Sequence, residues 1–109
     1  MSWSVTYLPE VQKDVAALSR QRQLLVKKAI DKVRENPLPQ SEGGFGKPLG
    51  NRPGSELSGL LKIKLRAEGL RIVYKLVRTD TQMLIVVVGV RDEEEVYELA
   101  ARRHRKHGI

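Results

Sequence analysis

The chain has 109 residues, of which 40% are hydrophobic and 30% charged, and a formal net charge of +7. It has no cysteine, which excludes disulfides and thiolate zinc sites, and its longest apolar run, residues 83–90, is far short of a membrane span. The start of the chain shows no secretory signal, so the expected organisation is one soluble, cytoplasmic domain over residues 1–109.

The first forty residues predict a short strand followed by a helical hairpin. Residues 3–7 alternate apolar and polar side chains, as a strand does, and Pro9 suits the first turn of a helix. The prolines within residues 36–39 end the second helix. Two apolar stripes at helical spacing support these helices, the first on Val11, Val15 and Leu18 and the second, from about Ser19, on Val26, Ile30 and Val33.

The rest of the chain predicts a loop, three strands and a helix. Residues 40–59 form a glycine-rich loop that lacks the ending of a phosphate-binding loop and leads into no helix, which argues against a nucleotide site. Residues 61–77 predict a β-hairpin, and residues 83–91 predict a strand that is apolar on both faces, as a helix-covered strand is. The last helix begins with acids and ends with bases, the order that a helix dipole favours.

The element order β-α-α-β-β-β-α predicts a small α+β domain. The expected architecture is a small antiparallel sheet, with an N-terminal helical hairpin on one face and a C-terminal helix. The helices would cover the apolar face of the β-hairpin and leave its other face open.

The open face of the hairpin is cationic. Lys62, Lys64 and Arg66 share one face of the first strand, because strand side chains alternate. With a two-residue turn at Glu68 and Gly69, Arg71 would lie opposite Arg66, and Lys75 opposite Lys62.

Like charges opposite each other destabilise a sheet, so folding alone does not favour this pattern. Residues 43–78 carry eight basic and two acidic side chains, and the rest of the chain is close to balance. This concentration predicts a polyanionic partner, either RNA, DNA or an acidic protein segment, although strand lysines also protect sheets from aggregation.

Two further side chains are candidates for the same site. Arg91 ends the third strand on the side of Gly89, which would leave room for a ligand, and Tyr97 lies early in the last helix, where an aromatic is more often a packing residue. His104 and His107 lie in a basic tail and are interpreted as part of a solvated helix end with favourable dipole interactions, and no carboxylate accompanies them to complete a metal site. No metal or cofactor is predicted. Lysine, arginine and tyrosine can support phosphodiester transfer within RNA, because the 2′-hydroxyl of the substrate is the nucleophile.

Two segments, GLLKIKLRAEGLRIVYKLV at 59–77 and VVVGVRDEEEVY at 86–97, resemble the RelE branch of the RelE/ParE superfamily of toxin–antitoxin systems. The pieces YLPEVQKDVAAL, ENP and GKPLG fit too, so the resemblance spans almost the whole chain. It implies a RelE-like fold and a metal-independent, ribosome-dependent endoribonuclease. Such an enzyme cuts mRNA in the ribosomal A site, leaves a 2′,3′-cyclic phosphate and inhibits translation.

The resemblance also implies a role for each matched position. Lys62 and Lys64 match paired strand lysines, which are candidates for the general base and for phosphate stabilisation. Arg71 matches the arginine that grips the scissile phosphate, and Arg91 the one that stabilises or protonates the leaving oxygen. Tyr97 matches the tyrosine that stacks on a base. Three more basic residues are expected to help bind RNA: Arg66, Lys75 and Lys47.

The implied partners are mRNA, the ribosome and a RelB-like antitoxin that displaces or pins the last helix. The sequence departs from the family in its long glycine-rich loop and in the acids that directly follow Arg91. Two alternatives stay open. One is a ParE-like gyrase inhibitor of the same fold, although such proteins lack the lysine–arginine–tyrosine set, and the other is a non-catalytic RNA-binding or ribosome-binding protein.

Overall fold

The computed structural model describes residues 3–49, 59–90 and 92–109. Within these ranges no helix is both long and apolar enough to cross a membrane. The α-helices and β-strands follow in the order β1 (Ser4–Tyr7), α1 (Pro9–Ala16), α2 (Arg20–Val33), β2 (Lys47–Pro48), β3 (Leu60–Leu65), β4 (Leu70–Val77), β5 (Gln82–Gly89) and α3 (Glu93–His107).

The strands form one sheet in the order β1-β5-β4-β3-β2. The predicted α+β class, with its helical hairpin and C-terminal helix, is confirmed, and two details of the sheet differ. The strand β2 is an additional pairing within the predicted loop, and β1 runs parallel to β5, so the sheet is mixed rather than antiparallel. The alternation of side chains predicts which face of a strand is buried but carries no information on its direction.

The helices α1 and α2 pack on the first face of the sheet, where their predicted apolar stripes are buried except for the half-buried Val15. Tyr74 of β4 is fully buried, and its hydroxyl donates a 2.7 Å hydrogen bond to the carbonyl of Pro37, just beyond α2. Burial raises the pKa of the Tyr74 phenol, so the group stays a neutral donor. This bond fixes the end of the helical hairpin to the centre of the sheet.

The helix α3 packs on the second face, which also carries the lysines of β3. Residues directly across neighbouring strands point to the same side, so Lys62, Val73 and Val87 share this face. Val73 and Val87 are fully buried, and Lys62 is hydrogen-bonded to Tyr97 of α3. The expectation that this face stays open is therefore wrong over Val73 and Val87, because β5 is apolar on both faces and needs a cover on each. On the same face Lys64 and Arg71 stay half-buried and Lys47 is exposed.

A nearly buried ion pair joins α3 to α1 at the edge of β5. Arg103 donates hydrogen bonds of 2.6 and 2.9 Å to the carboxylate of Asp14, and one of 2.9 Å to the carbonyl of Val86. Asp14 also accepts a 3.1 Å bond from the N–H of Val88. Since β1 pairs with β5 only as far as Ile85, the ion pair supplies hydrogen-bond partners to the strand beyond that point.

A second charge pair lies one helical turn away. The imidazole Nε2 of His107 lies 2.8 Å from the carboxylate of Glu10, and Lys106 lies 3.1 Å from it. The interpretation of His107 as part of a solvated helix end is therefore wrong, because a carboxylate from α1 meets it. Hydrogen bonds from His107 and from its own backbone lower the pKa of Glu10 to about 2.

Candidate active site

The connection between β3 and β4 sets which cations face each other. It has four residues, 66–69, with Gly69 in the left-handed region at φ 66°, rather than the predicted two-residue turn. The predicted pairs Arg66–Arg71 and Lys62–Lys75 are therefore wrong. The observed pairs are Lys64 with Arg71, Lys62 with Val73, and Leu60 with Lys75.

The register differs from the predicted one by two residues, so each strand residue keeps its predicted face, because the side-chain period of a strand is two. Four cations lie in two neighbouring rows on the second face, with Lys64 beside Arg71 in one row and Lys47 beside Lys62 in the other. We refer to these four residues as the cationic patch. Residues paired across strands have Cα atoms about 5 Å apart, which places like charges close together.

Tyr97 is brought to this patch by α3. Asp92 is the N-cap of the helix and its side chain accepts a 2.9 Å hydrogen bond from the N–H of Glu95, so the predicted role of the acidic run as a helix start is confirmed. The ammonium of Lys62 donates a 2.6 Å hydrogen bond to the hydroxyl of Tyr97 and lies 5.3 Å from the ring centroid. The aromatic ring is thus held against the cation row by a charge-assisted bond.

Two predicted site residues, Arg66 and Lys75, lie apart from this contact. Arg91 lies outside the described residues, so its place stays a prediction, and Gly89 lies beside Arg71 in the same row. Arg66 is exposed in the connection after β3 rather than in the strand. Lys75 shares the face of Arg71 but lies four residues along β4, a distance of about 13 Å.

A cavity of about 280 Å³ opens next to the patch, along the edge of β3. Among the described residues, β2 pairs with β3 only at Leu61 and Lys62, so the cavity lies beyond the end of this pairing. Both α2 and β3 contribute apolar and cationic side chains to its lining. The apolar ones are Ala29, Val33, Ile63 and Leu65, and the cationic or aromatic ones, including those from the neighbouring segments, are Lys32, Phe45, Lys47, Lys62, Lys64 and Arg66. We refer to it as the β3 cavity.

Phe45 in the β3 cavity was missed in the sequence. Its side chain is 48% exposed, and the ammonium of Lys32 lies 5.6 Å from its ring centroid. The signal available was the single phenylalanine of the chain, set between glycines and followed by Lys47. A larger cavity of about 740 Å³ lies between β1, α1 and α2, but none of the predicted site residues lines it.

Comparison with known proteins finds similarity to RelE toxins. A RelE-like toxin protein of Escherichia coli is 30% identical over 108 residues, covering 96% of this chain and 100% of that protein. The mRNA interferase toxin RelE of Escherichia coli strain K12 is 32% identical over 78 residues, which is 72% of each chain. A scan of protein-family models finds no match.

The fold is similar to that of a solved RelE toxin. An Escherichia coli RelE mutant, solved in complex with a peptide of the antitoxin RelBc, superposes with a TM-score of 0.69 at 25% identity. The match covers 92% of this chain and 95% of that chain. The RelE-like arrangement of sheet and helices expected from the sequence is thereby confirmed.

Proposed function

The chain belongs to the RelE toxin family, and we propose that it inhibits translation by cleaving mRNA. In its specific form, the proposal is a metal-independent endoribonuclease that cuts mRNA in the ribosomal A site. The observation that carries it is the cationic patch with Tyr97 hydrogen-bonded to Lys62. The relative named mRNA interferase toxin supports the same reaction class.

In this reaction the RNA supplies its own nucleophile. The 2′-oxygen loses its proton and attacks the neighbouring phosphorus, and the bond from phosphorus to the 5′-oxygen breaks. The products are a 2′,3′-cyclic phosphate and a 5′-hydroxyl. The protein has to orient the phosphate, accept the proton of the 2′-hydroxyl, stabilise charge on the phosphate and donate a proton to the leaving oxygen.

The cationic patch, together with Tyr97 and Arg91, offers a side chain for each task. Arg71 presents a planar fork that matches the non-bridging phosphate oxygens, and Lys64 lies directly across from it to share the charge. Lys62 or Lys64, in its neutral amine form, accepts the proton of the 2′-hydroxyl and becomes an ammonium. Tyr97 offers a ring on which a nucleobase can stack, which is the usual way that proteins hold unpaired RNA bases. Arg91 would stabilise or protonate the leaving oxygen.

The proposed protein partner is a RelB-like antitoxin. The similar Escherichia coli toxin was solved with an antitoxin peptide, and the excess positive charge of this chain suits an acidic segment. The helix α3 lies over the face that carries Lys62 and supplies Tyr97. An antitoxin that displaces α3 would separate Tyr97 from Lys62, and one that pins α3 would cover the patch.

The test is cleavage of a defined message on purified ribosomes, mapped by primer extension. The wild-type chain should cut within the A-site codon. Arg71→Ala should lower the cleavage rate by about 100-fold or more, the loss seen when a preorganised transition-state donor is removed. Arg71→Lys, which keeps the charge without the fork, should give an intermediate rate, and Arg20→Ala should cut normally because this exposed arginine lies at the start of α2.

Circular dichroism and thermal melting of each variant would separate loss of chemistry from loss of folding. Intact message in the presence of folded wild-type protein would contradict the proposal. If the message stays intact while the protein binds ribosomes, the alternative of a non-catalytic ribosome-binding protein is correct. If transcripts stay intact in cells that show a DNA damage response, the gyrase-inhibitor alternative is correct.

A further inference from the structure

Phe45 is exposed although its backbone is firmly held. Its N–H donates a 3.1 Å hydrogen bond to the carbonyl of Asn36, and the N–H of Gly46 donates one of 3.0 Å to Leu38. A Cβ on Gly46 would collide with the hydroxyl of Tyr74, so the loop lies directly against the buried centre of the sheet. The ring therefore projects from a rigid support.

An exposed apolar side chain is common on protein surfaces and carries no inference alone. The surroundings of Phe45 are the informative part. Its ring lies under the ammonium of Lys32 and shares the β3 cavity with Lys47 and Arg66. A flat apolar surface with cations around it matches one nucleotide, whose base is flat and apolar on its faces and whose phosphate is an anion.

The β3 cavity is continuous with the cationic patch. Lys62 and Lys64 line the cavity, and Lys62 contacts Tyr97 on α3 while facing Lys47 on β2. Lys47 and Lys62 are paired across β2 and β3, so two positive charges lie close together on this side of the cavity. A single strand that crosses the patch from Tyr97 would therefore meet Lys47 and then Phe45.

We propose that Phe45 stacks on a base of the bound mRNA next to the cleaved step, and that Lys32 and Lys47 bind the phosphates that flank this base. This subsite rests on the proposed function, because it extends the substrate path of the same site. The occupant is single-stranded RNA. The other candidate occupant of a strand edge, an extended segment of a protein partner, is an outcome of the test below.

The test begins with binding, measured without cleavage. A short single-stranded RNA with a 2′-deoxyribose at the cleavage step is titrated into the isotope-labelled protein and followed by NMR. Backbone amide signals of residues 44–47 should shift. Phe45→Ala should weaken binding about tenfold and Phe45→Leu nearly as much, whereas Phe45→Trp should keep the affinity, since base–aromatic stacking needs a π-face.

Matched controls keep the result specific. Leu24→Ala removes a side chain that is 59% exposed on α2 and should leave RNA affinity unchanged. Lys32→Gln and Lys47→Gln should each lower the slope of log Kd against log salt by about 0.7, as expected for one phosphate contact on a single strand. Melting temperatures would verify that all variants are folded.

The inference and the proposed function fail in different ways. If wild-type protein cuts mRNA on ribosomes but Phe45→Ala neither weakens RNA binding nor slows cleavage, the subsite is overturned and the function stands. If RNA shifts the signals of residues 44–47 and Phe45→Ala weakens binding while no message is cut, the subsite stands and the function fails. No shift at residues 44–47 up to millimolar RNA, or loss of binding only toward an antitoxin peptide, overturns the subsite.

Discussion

The contact between Lys62 and Tyr97 joins two side chains from different parts of the chain and from different element types. Lys62 lies in a strand and Tyr97 in the C-terminal helix, and their 2.6 Å hydrogen bond fixes the tyrosine ring relative to the cationic patch. Two roles are compatible with this geometry. The ring can stack on a base, or the hydroxyl can take part in proton movement beside the ammonium.

Replacing Tyr97 by phenylalanine separates the two roles. Tyr97→Phe keeps the ring and removes the hydroxyl that accepts from Lys62, so we expect a loss in cleavage rate of about fivefold, the value of one hydrogen bond. Tyr97→Ala removes the stacking surface and should cost about 10- to 100-fold. Single-turnover cleavage on programmed ribosomes gives both rates, with Tyr7→Phe as an exposed control remote from the patch.

A loss in Tyr97→Phe as large as that in Tyr97→Ala would show that the hydroxyl, rather than the ring, is the functional part. Lys62 would then act together with that hydroxyl, and the assignment of the proton acceptor between Lys62 and Lys64 would move to Lys62. The two variants together therefore test the stacking role and the identity of the base.

At the scale of the elements, the first half of the loop between α2 and β3 is held against the sheet by side-chain contacts. Gly46 lies against the hydroxyl of Tyr74, which in turn donates to Pro37. Glu42 and Arg78 form a two-pronged ion pair on the surface, with distances of 3.0 and 2.7 Å, which ties this loop to the turn after β4. The hydrogen bonds from Arg78 lower the pKa of Glu42.

Gly46→Ala should destabilise the protein by about 1–3 kcal/mol, because the added methyl group must displace the Tyr74 hydroxyl or the loop. The same substitution in a Tyr74→Phe background should cost less, since the colliding oxygen is gone. Urea unfolding of the two single variants and the double variant gives the coupling. Equal costs of Gly46→Ala in both backgrounds would show that the hydroxyl is not the obstacle.

The faces of the strands could be predicted from the sequence, but the partners across the sheet could not. Period-two alternation placed Lys62, Lys64 and Arg71 on one face, and the structure has them there. Which residue faces Arg71 depends on the length of the connection, and the sequence at residues 66–69 is compatible with a two-residue turn. The place of Tyr97 beside Lys62 required the family resemblance, because no local pattern links a helix to a distant strand.

In the whole molecule, two charge pairs link α1 and α3 in antiparallel register, Asp14 with Arg103 and Glu10 with His107. A cue was present in the sequence, since Arg103 and His107 extend the apolar stripe of α3 at helical spacing. Such residues on a buried face require partners of opposite charge, but the sequence does not say which helix supplies them. Because these pairs hold α3, they also hold Tyr97 over the patch.

Acid should weaken the pair of Glu10 with His107 in a defined pH window. The pKa of Glu10 falls from 4.5 to about 2 on folding, because it accepts hydrogen bonds from His107 and Lys106. A depressed carboxyl pKa stabilises the fold above the unfolded value and loses that contribution as the pH falls through the folded value. The melting temperature of the wild type should therefore be higher than that of Glu10→Gln near pH 5.5. The difference between the two should shrink between pH 4.5 and 2.

Glu98→Gln, a change at an exposed glutamate of α3, is the control and should show no such window. Glu10→Gln should also raise the amide hydrogen exchange of the last turn of α3 at pH 5.5, since that turn loses its contact with α1. If the melting difference stays constant from pH 5.5 to pH 2, the carboxylate charge of Glu10 contributes nothing to holding α3. The ion pair of Asp14 with Arg103 would then be the contact that sets the position of the helix and of Tyr97.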